Sequence, residues 1–423
     1  MKYKSLKGTR DTLPEEQPYW RHIENCLHEI CALYGYKRID PPILEVTSLF
    51  VRGVGETTDI VEKEMYTFED KGGISNTLRP EFTAGVMRAY LENGLFTQAK
   101  PVKLYSMGPI FRYERPQAGR FRQHTQFNVE ALGEQDPAID VEIMSIAWHL
   151  YTNLGFKGLS FQLNSTGCPK CRPDYLQTLK KYYEDHFDEI CKDCQRRLDK
   201  NPLRVLDCKV KSCQPIIENA PPIREHLCVE CDTHFTQLLN YLDLLERPYS
   251  LNHRLVRGLD YYTKTVFEVW AQGIGAQNAM CGGGRYDGLI EQLGGQPTPG
   301  IGFATGIERI IMSMKEQNLP VPELAQPQVF IAHHGENTSA VAMKTVFALR
   351  ESGIGVNIAF GQRSMKAQFR EANRLKAQFV IIIGEEEVAA DEVTLKNMAN
   401  GEQQRIPVQE VSSFLGGIIP PEK

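Results

Sequence analysis

The chain has 423 residues, more than one hydrophobic core usually serves, so two or three domains are expected. A formal net charge of −5 argues against indiscriminate nucleic-acid binding but leaves local basic surfaces open. Eleven cysteines without a secretory signal, and no apolar run long enough to cross a bilayer, predict a cytoplasmic protein with no membrane partner.

In chain order, residues 15–34 carry apolar side chains at helical spacing (Trp20, Ile23, Leu27, Ile30, Leu33), and Gly35 supplies the stop. Turn-flanked alternation predicts strands over 102–105, 110–113 and 125–132, with the loop 114–120, holding Pro116 and Gly119, joining the last two as a hairpin. A cysteine-rich insertion occupies 168–240 and ends near a helical pattern at 235–245. Further strands are predicted over 266–270, 279–282 and 300–305. No βαβ rhythm connects these stretches, so an α+β fold is expected for 1–320, a largely antiparallel sheet with flanking helices interrupted by the 168–240 insertion. Three prolines mark a linker at 319–328. Beyond it, 329–423 alternates strand and helix (329–332, 341–349, 356–359, 369–375, 379–384), the pattern of a compact α/β domain.

Three arginine-centred segments carry the chemistry. In 255–262 (Leu-Val-Arg-Gly-Leu-Asp-Tyr-Tyr) a single guanidinium, Arg257, stands among apolar neighbours, and a partly buried arginine requires an anionic partner or a polar substrate. Arg112 and Arg115 on one side of the hairpin, and Arg120 and Arg122 across from them, point into a common space that suits a polyphosphate. In 302–309 a glycine turn opens a helix with Glu308 and Arg309 in its first turn. Arg309 there opposes the helix dipole, so a bound anion or Glu308 is expected to offset it. Gln126 and Glu130 fall on one side of a strand and can line one pocket.

Together these segments resemble the class II aminoacyl-tRNA synthetases, and within them the histidyl-tRNA synthetase family. Arg112 is similar to the motif 2 arginine and Arg309 to the motif 3 arginine; 255–262 and Gly282-Gly283-Gly284-Arg285-Tyr286-Asp287 resemble the two signatures of the histidine enzymes. The likeness runs from Lys7-Gly8-Thr9-Arg10-Asp11 through the C-terminal domain. It implies ATP-dependent attachment of L-histidine to tRNA(His) through histidyl-adenylate. Glu81, Thr83, Gln126, Glu130, Tyr261, Tyr262 and Tyr286 would then bind histidine, and Arg112, Arg120, Arg257 and Arg309 would bind ATP. Arg112 and Arg257 would be the catalytic pair on the α-phosphate, with Mg2+ on the β- and γ-phosphates. Phe82 stands where many relatives have glycine, and His124-Thr125 replaces the usual Phe-His. Pro41-Pro42-Ile43-Leu44-Glu45 resembles motif 1, which implies a homodimer, and the C-terminal region resembles an anticodon-binding domain.

Within the insertion, Cys168-Pro-Lys-Cys171 and, nineteen residues on, Cys191-Lys-Asp-Cys194 have the spacing of a four-thiolate structural zinc site. Cys208, Cys213, Cys228 and Cys231 could supply a second. Between Cys168 and Cys213 eleven Lys or Arg stand against eight Asp or Glu, and the resemblance places this module near the tRNA acceptor stem. In the C-terminal domain Lys366, Arg370 and Arg374 recur every four residues as one basic stripe on a helix. Two rival readings are a non-catalytic histidine-binding regulatory paralogue of histidine biosynthesis and a zinc-dependent nucleic-acid-binding protein. Intact Arg257, Tyr261, Tyr262 and Arg309 and a domain beyond residue 328 count against the first, and the pocket-like polar set counts against the second.

Overall fold

The computed structural model describes residues 3–55, 58–115, 119–273, 279–361 and 363–419. The chain divides into two compact units, Met1–Pro322 and Glu323–Lys423. The first is built on an eight-stranded sheet ordered Lys37–Arg38, Val102–Phe111, Gln123–Leu132, Gly300–Gly306, Ala279–Arg285, Thr263–Trp270, Ser160–Ser165, Tyr249–Leu251. Its inner pairs are antiparallel, and parallel pairing occurs only at the two edges.

The period of two decides what each face of this sheet does. Phe127, Val129 and Ala131, with Ile301 and Phe303, Phe267 and Val269, and Phe161 and Leu163, bury one face. Against it pack the helices Gln17–Leu33, Pro137–Asn153, Val229–Leu244 and Ile307–Glu316. The Pro137–Asn153 helix begins with Asp136 accepting the Ala138 amide at 2.8 Å, and Pro137 follows in the first turn, where a missing N–H costs nothing. Intervening residues of the same strands face the other way, and there the polar groups gather.

The two strands expected over 102–105 and 110–113 are one, Val102–Phe111. Gly108-Pro109 has the composition of a turn, yet Pro109 lies opposite Thr125 in unbroken register. Thr125 gives its amide to Glu308, and the Pro109 carbonyl accepts from Arg79 Nε at 2.9 Å, so this pair exchanges no ladder bonds and a proline is tolerated. The hairpin partner is Gln123–Leu132; residues 116–118 of the connecting loop lie outside the described residues.

In the second unit the strands Val356–Ile358, Val329–His333 and Phe379–Ile383 are parallel, and an antiparallel pair, Glu392–Asn397 and Gln403–Pro407, extends the sheet. The helix Thr338–Glu351 closes one face over Val329, Ile331, Ile381 and Ile383. On the Met365–Arg374 helix, Lys366, Arg370 and Arg374 are exposed, while Gln368 is buried and binds the backbone of His333 through both ends of its amide.

Candidate active site

A cavity of about 150 Å³ opens on the polar face of the large sheet. Its floor is Glu130, Gly302, Asn128, Ala304 and Gly282, which belong to two cross-strand rows. In one, Glu130, Gly302 and Gly284 are neighbours; in the next, Asn128, Ala304, Gly282 and Glu268. Two of these glycines are needed for close approach. A Cβ on Gly302 would overlap the Glu130 carboxylate, and one on Gly282 would overlap the Arg257 guanidinium.

The walls come from three other segments. Glu81 accepts the first-turn amides of the Thr83–Glu92 helix, from Thr83 at 2.5 Å and Ala84 at 2.8 Å, which fixes its carboxylate at the cavity edge. Thr83 Oγ1 donates to Glu130 Oε1 at 2.6 Å, and the Tyr286 hydroxyl donates to Glu130 Oε2. The rings of Tyr261 and Tyr262 lie 4.7 Å apart, and Tyr286 meets Tyr261 edge-on at 5.6 Å, giving a buried aromatic wall. Phe82 is buried beneath the Arg79 guanidinium, 4.2 Å from the ring centroid, so its bulk lies in the core of this wall.

The electrostatics are those of an acidic box facing a basic rim. Burial pushes Glu130 up to about 8 against the hydrogen bonds from Thr83 and Tyr286, and Glu81 adds to the rise. Glu81 is itself raised by burial. Arg112 and Arg257 border the same cavity. Arg112 Nε donates to the Pro80 carbonyl at 2.8 Å, and Arg257 Nη1 meets Glu268 at 2.7 Å. Glu268 also accepts from Trp270 Nε1 at 3.0 Å. Burial and the Arg112 charge push His124 down to about 4, so it is neutral at physiological pH.

Three buried polar atoms of the cavity have no hydrogen-bond partner: Gln126 Oε1, Asn128 Oδ1 and Arg257 Nε. Buried polar groups are rarely left so, and three around one void point to a polar ligand that completes them.

Arg309 and Arg120 lie outside this lining. Burial lowers Arg309, Tyr151 and Glu268 act to raise it, and Arg120 lowers it further, so Arg309 and Arg257 share the field of Glu268. Arg120 is exposed and pairs with Glu114 at 3.3 Å. Of the two groups expected to offset Arg309, a bound anion or Glu308, the Glu308 carboxylate holds the Thr125 amide with both oxygens, at 2.8 and 3.0 Å.

The comparisons with known proteins agree over most of the chain. The family model described as Histidyl-tRNA synthetase matches residues 8–170 and 217–310, and that described as Anticodon binding domain matches 328–417. A histidine–tRNA ligase of Dehalococcoides mccartyi (strain 195) is 53% identical over 97% of this chain and 98% of its own length. The chain belongs to the histidyl-tRNA synthetase family. Among solved structures, the apo histidyl-tRNA synthetase of S. aureus superposes with a TM-score of 0.82 at 39% identity, covering 97% of this chain and 99% of that one. An ATP phosphoribosyltransferase regulatory subunit/histidyl-tRNA synthetase from Bacillus halodurans shares the fold, with a TM-score of 0.65 at 21% identity over 91% of this chain and 99% of that one.

Several residues that build the site of this histidyl-tRNA synthetase family member escape a reading of motifs. Asn128 lies between Gln126 and Glu130 on the same face and follows from the period of two. Glu268 carries no local mark. Neither does Asp140, fully buried in the Pro137–Asn153 helix, which pairs with Arg285 at 2.5 Å and accepts from His234 Nε2 at 2.9 Å. Arg285 also reaches Asp287 at 3.1 Å, so the buried ion network holds the residues on both sides of Tyr286.

The cysteines require a correction. The quartet Cys168, Cys171, Cys191 and Cys194 expected from spacing does not form. Cys168 and Cys171 meet Cys228 and Cys231; Cys191 and Cys194 meet Cys208 and Cys213. The chain folds back so that the two ends of the insertion join, which local spacing cannot register.

Proposed function

We propose that the protein is a histidine–tRNA ligase that activates L-histidine with ATP and transfers the histidyl group to the terminal ribose of tRNA(His). The cavity carries this reading: it joins two buried carboxylates, a tyrosine wall and two arginines around three unsatisfied polar atoms. Glu81 and Thr83 suit the α-ammonium of histidine. Gln126, Glu130, Tyr262 and Tyr286 suit its amino group and imidazole, and Tyr261 backs the ring. A pocket that bonds both imidazole nitrogens rejects analogues unable to bond by ~10⁴- to 10⁵-fold without editing.

In the first step a carboxylate oxygen of histidine bonds to the α-phosphorus of ATP as the bond to the bridging oxygen breaks, releasing pyrophosphate. Negative charge on the α-phosphoryl oxygens grows between Arg112 and Arg257, which neutralise it without reorganising. Arg309 and Arg120 extend the positive rim toward the β- and γ-phosphates. The second step moves the acyl group from the adenylate to a ribose hydroxyl with AMP as leaving group. A Mg2+ carried in with ATP would be held largely by the nucleotide's own phosphates and would offset part of their charge.

The Lys366, Arg370 and Arg374 stripe is the tRNA-facing side of the second unit in this reading, and the insertion approaches the acceptor stem. A homodimer is supported by Ile43, Leu44 and Val46 with Phe68 and Ile74, apolar and exposed on and beside the small sheet of Leu44–Val46, Tyr66–Glu69 and Ser75–Leu78. No helix among the described residues is long and apolar enough to cross a membrane. None of the eleven cysteines is in a disulfide, which fits a reducing cytoplasm.

The test is exchange of radiolabelled pyrophosphate into ATP, with each amino acid supplied in turn. Exchange dependent on histidine alone is expected. Histidine binding without exchange would instead favour the regulatory paralogue.

A further inference from the structure

The insertion holds two sets of four thiols, each set close enough together to surround one ion. Within each set the sulfur atoms all lie within 4.8 Å of one another. Cys168 stands 3.7 Å from Cys171 and 3.8 Å from Cys228; Cys171 is 3.8 Å from Cys231, and Cys191 is 3.9 Å from Cys208. A tetrahedron with metal–sulfur bonds of about 2.3 Å has edges of about 3.8 Å. Backbone amides point at the sulfurs, from Cys168 to Cys171 Sγ at 3.3 Å, Cys191 to Cys213 Sγ at 3.2 Å and Val210 to Cys208 Sγ at 3.4 Å. Such N–H donors favour thiolates. The insertion has only a small apolar core of its own around Tyr175, Leu179, Tyr183, Leu198 and Val205. Modules of this size commonly need a staple.

We propose that the protein binds two structural zinc ions: a root site of Cys168, Cys171, Cys228 and Cys231, which clasps the start of the insertion to its end, and an inner site of Cys191, Cys194, Cys208 and Cys213. The root site also positions the histidine pocket. Its two halves both grip the segment that follows Tyr262. From the first, the Thr166 amide bonds the Lys264 carbonyl at 2.7 Å, the Lys264 amide bonds the Gly167 carbonyl at 2.8 Å, and Arg172 donates to the Tyr262 carbonyl. From the second, Glu230, between Cys228 and Cys231, pairs with Lys264 Nζ at 3.0 Å. Lys264 is buried, adopts a left-handed φ of 49°, and lies 3.7 Å from Asp287, the residue after Tyr286. Surroundings that overdetermine such a conformation hold it in place, and here they include the metal clasp.

The full-length protein, purified without chelator, is examined by native mass spectrometry with elemental analysis. Two zinc ions per chain are expected. Less than a tenth of an equivalent, a single ion, or iron in place of zinc overturns the proposal. Paired substitutions test the grouping: Cys171→Ser/Cys231→Ser and Cys194→Ser/Cys213→Ser each retain one ion, whereas Cys171→Ser/Cys194→Ser retains none. Grouping along the chain predicts the reverse, one ion left in Cys171→Ser/Cys194→Ser and none in Cys171→Ser/Cys231→Ser. Should the variants fail to fold, refilling the wild-type chain with cobalt(II) gives the same count, because two equivalents must produce the full thiolate-to-cobalt charge-transfer band; saturation at one or no band overturns it.

The positioning role rests on the histidine reading above, while the metal count does not. Cys171→Ser/Cys231→Ser is expected to raise the histidine KM by about tenfold with a smaller change in kcat, and Cys194→Ser/Cys213→Ser to leave that KM within about twofold. Equal KM values in the two variants would overturn the positioning role.

Discussion

Glu130 is a carboxyl whose most comfortable state in the empty protein is not the state its ligand wants. Burial and Glu81 raise it to about 8, above its ordinary 4.5, so the folded ligand-free protein holds a proton there that the unfolded chain gives up. That contribution to stability is fully present below about pH 4.5 and is lost as pH rises through about 8. Glu130→Gln is therefore expected to flatten the fall in Tm of the ligand-free protein between about pH 5 and about pH 9, read by differential scanning calorimetry. An unchanged slope would show that Glu130 is already ionised in the empty site. Arg257 is the second decisive residue. Arg257→Ala is expected to lower histidine-dependent pyrophosphate exchange by ~10²- to 10³-fold, the usual effect of removing one preorganised donor to a transition state. Exchange at the wild-type rate would remove Arg257 from the reaction.

At the scale of elements, what was legible in the chain and what was not divides along range of interaction. The period of two put Gln126 and Glu130 on one face, and that face is the cavity floor. The Gln17–Leu33 helix lies within the expected 15–34 stretch because its apolar spacing is local. The Val102–Phe111 strand was hidden by Gly108-Pro109, whose composition means a turn unless the partner strand happens to need no bond there. The antiparallel pair of Glu392–Asn397 and Gln403–Pro407 leaves little strand pattern in the sequence because its residues are largely polar and charged. Cysteine grouping and the Asp140–Arg285 pair depend on closure over 60 and 145 residues, which no local pattern encodes. One element stands on a local device that can be removed cleanly. Asp136→Ala deletes the cap of the Pro137–Asn153 helix and is expected to lower stability by about 1 kcal/mol without altering pyrophosphate exchange, as urea denaturation would show.

For the whole molecule, the division at Pro322 is the relevant fact. Each unit has its own buried core, and every residue of the cavity belongs to the first. Residues 1–322 alone are expected to keep histidine-dependent pyrophosphate exchange within about tenfold of the full chain while losing most aminoacylation of tRNA(His), since independent cores permit independent folding. Exchange abolished by the truncation would mean that the first unit relies on the second for more than its tRNA.

The side-chain-free positions beneath the pocket also constrain anyone who would redesign it. Gly282, Gly284 and Gly302 are already at the smallest size that chemistry allows, and each is pressed by a neighbour. No volume can be carved from below for a bulkier amino acid. Engineered acceptance of larger substrates must start from the aromatic side, at Tyr261, Tyr262 or Tyr286, where trimming a ring also strips away the contacts that recognise the natural one.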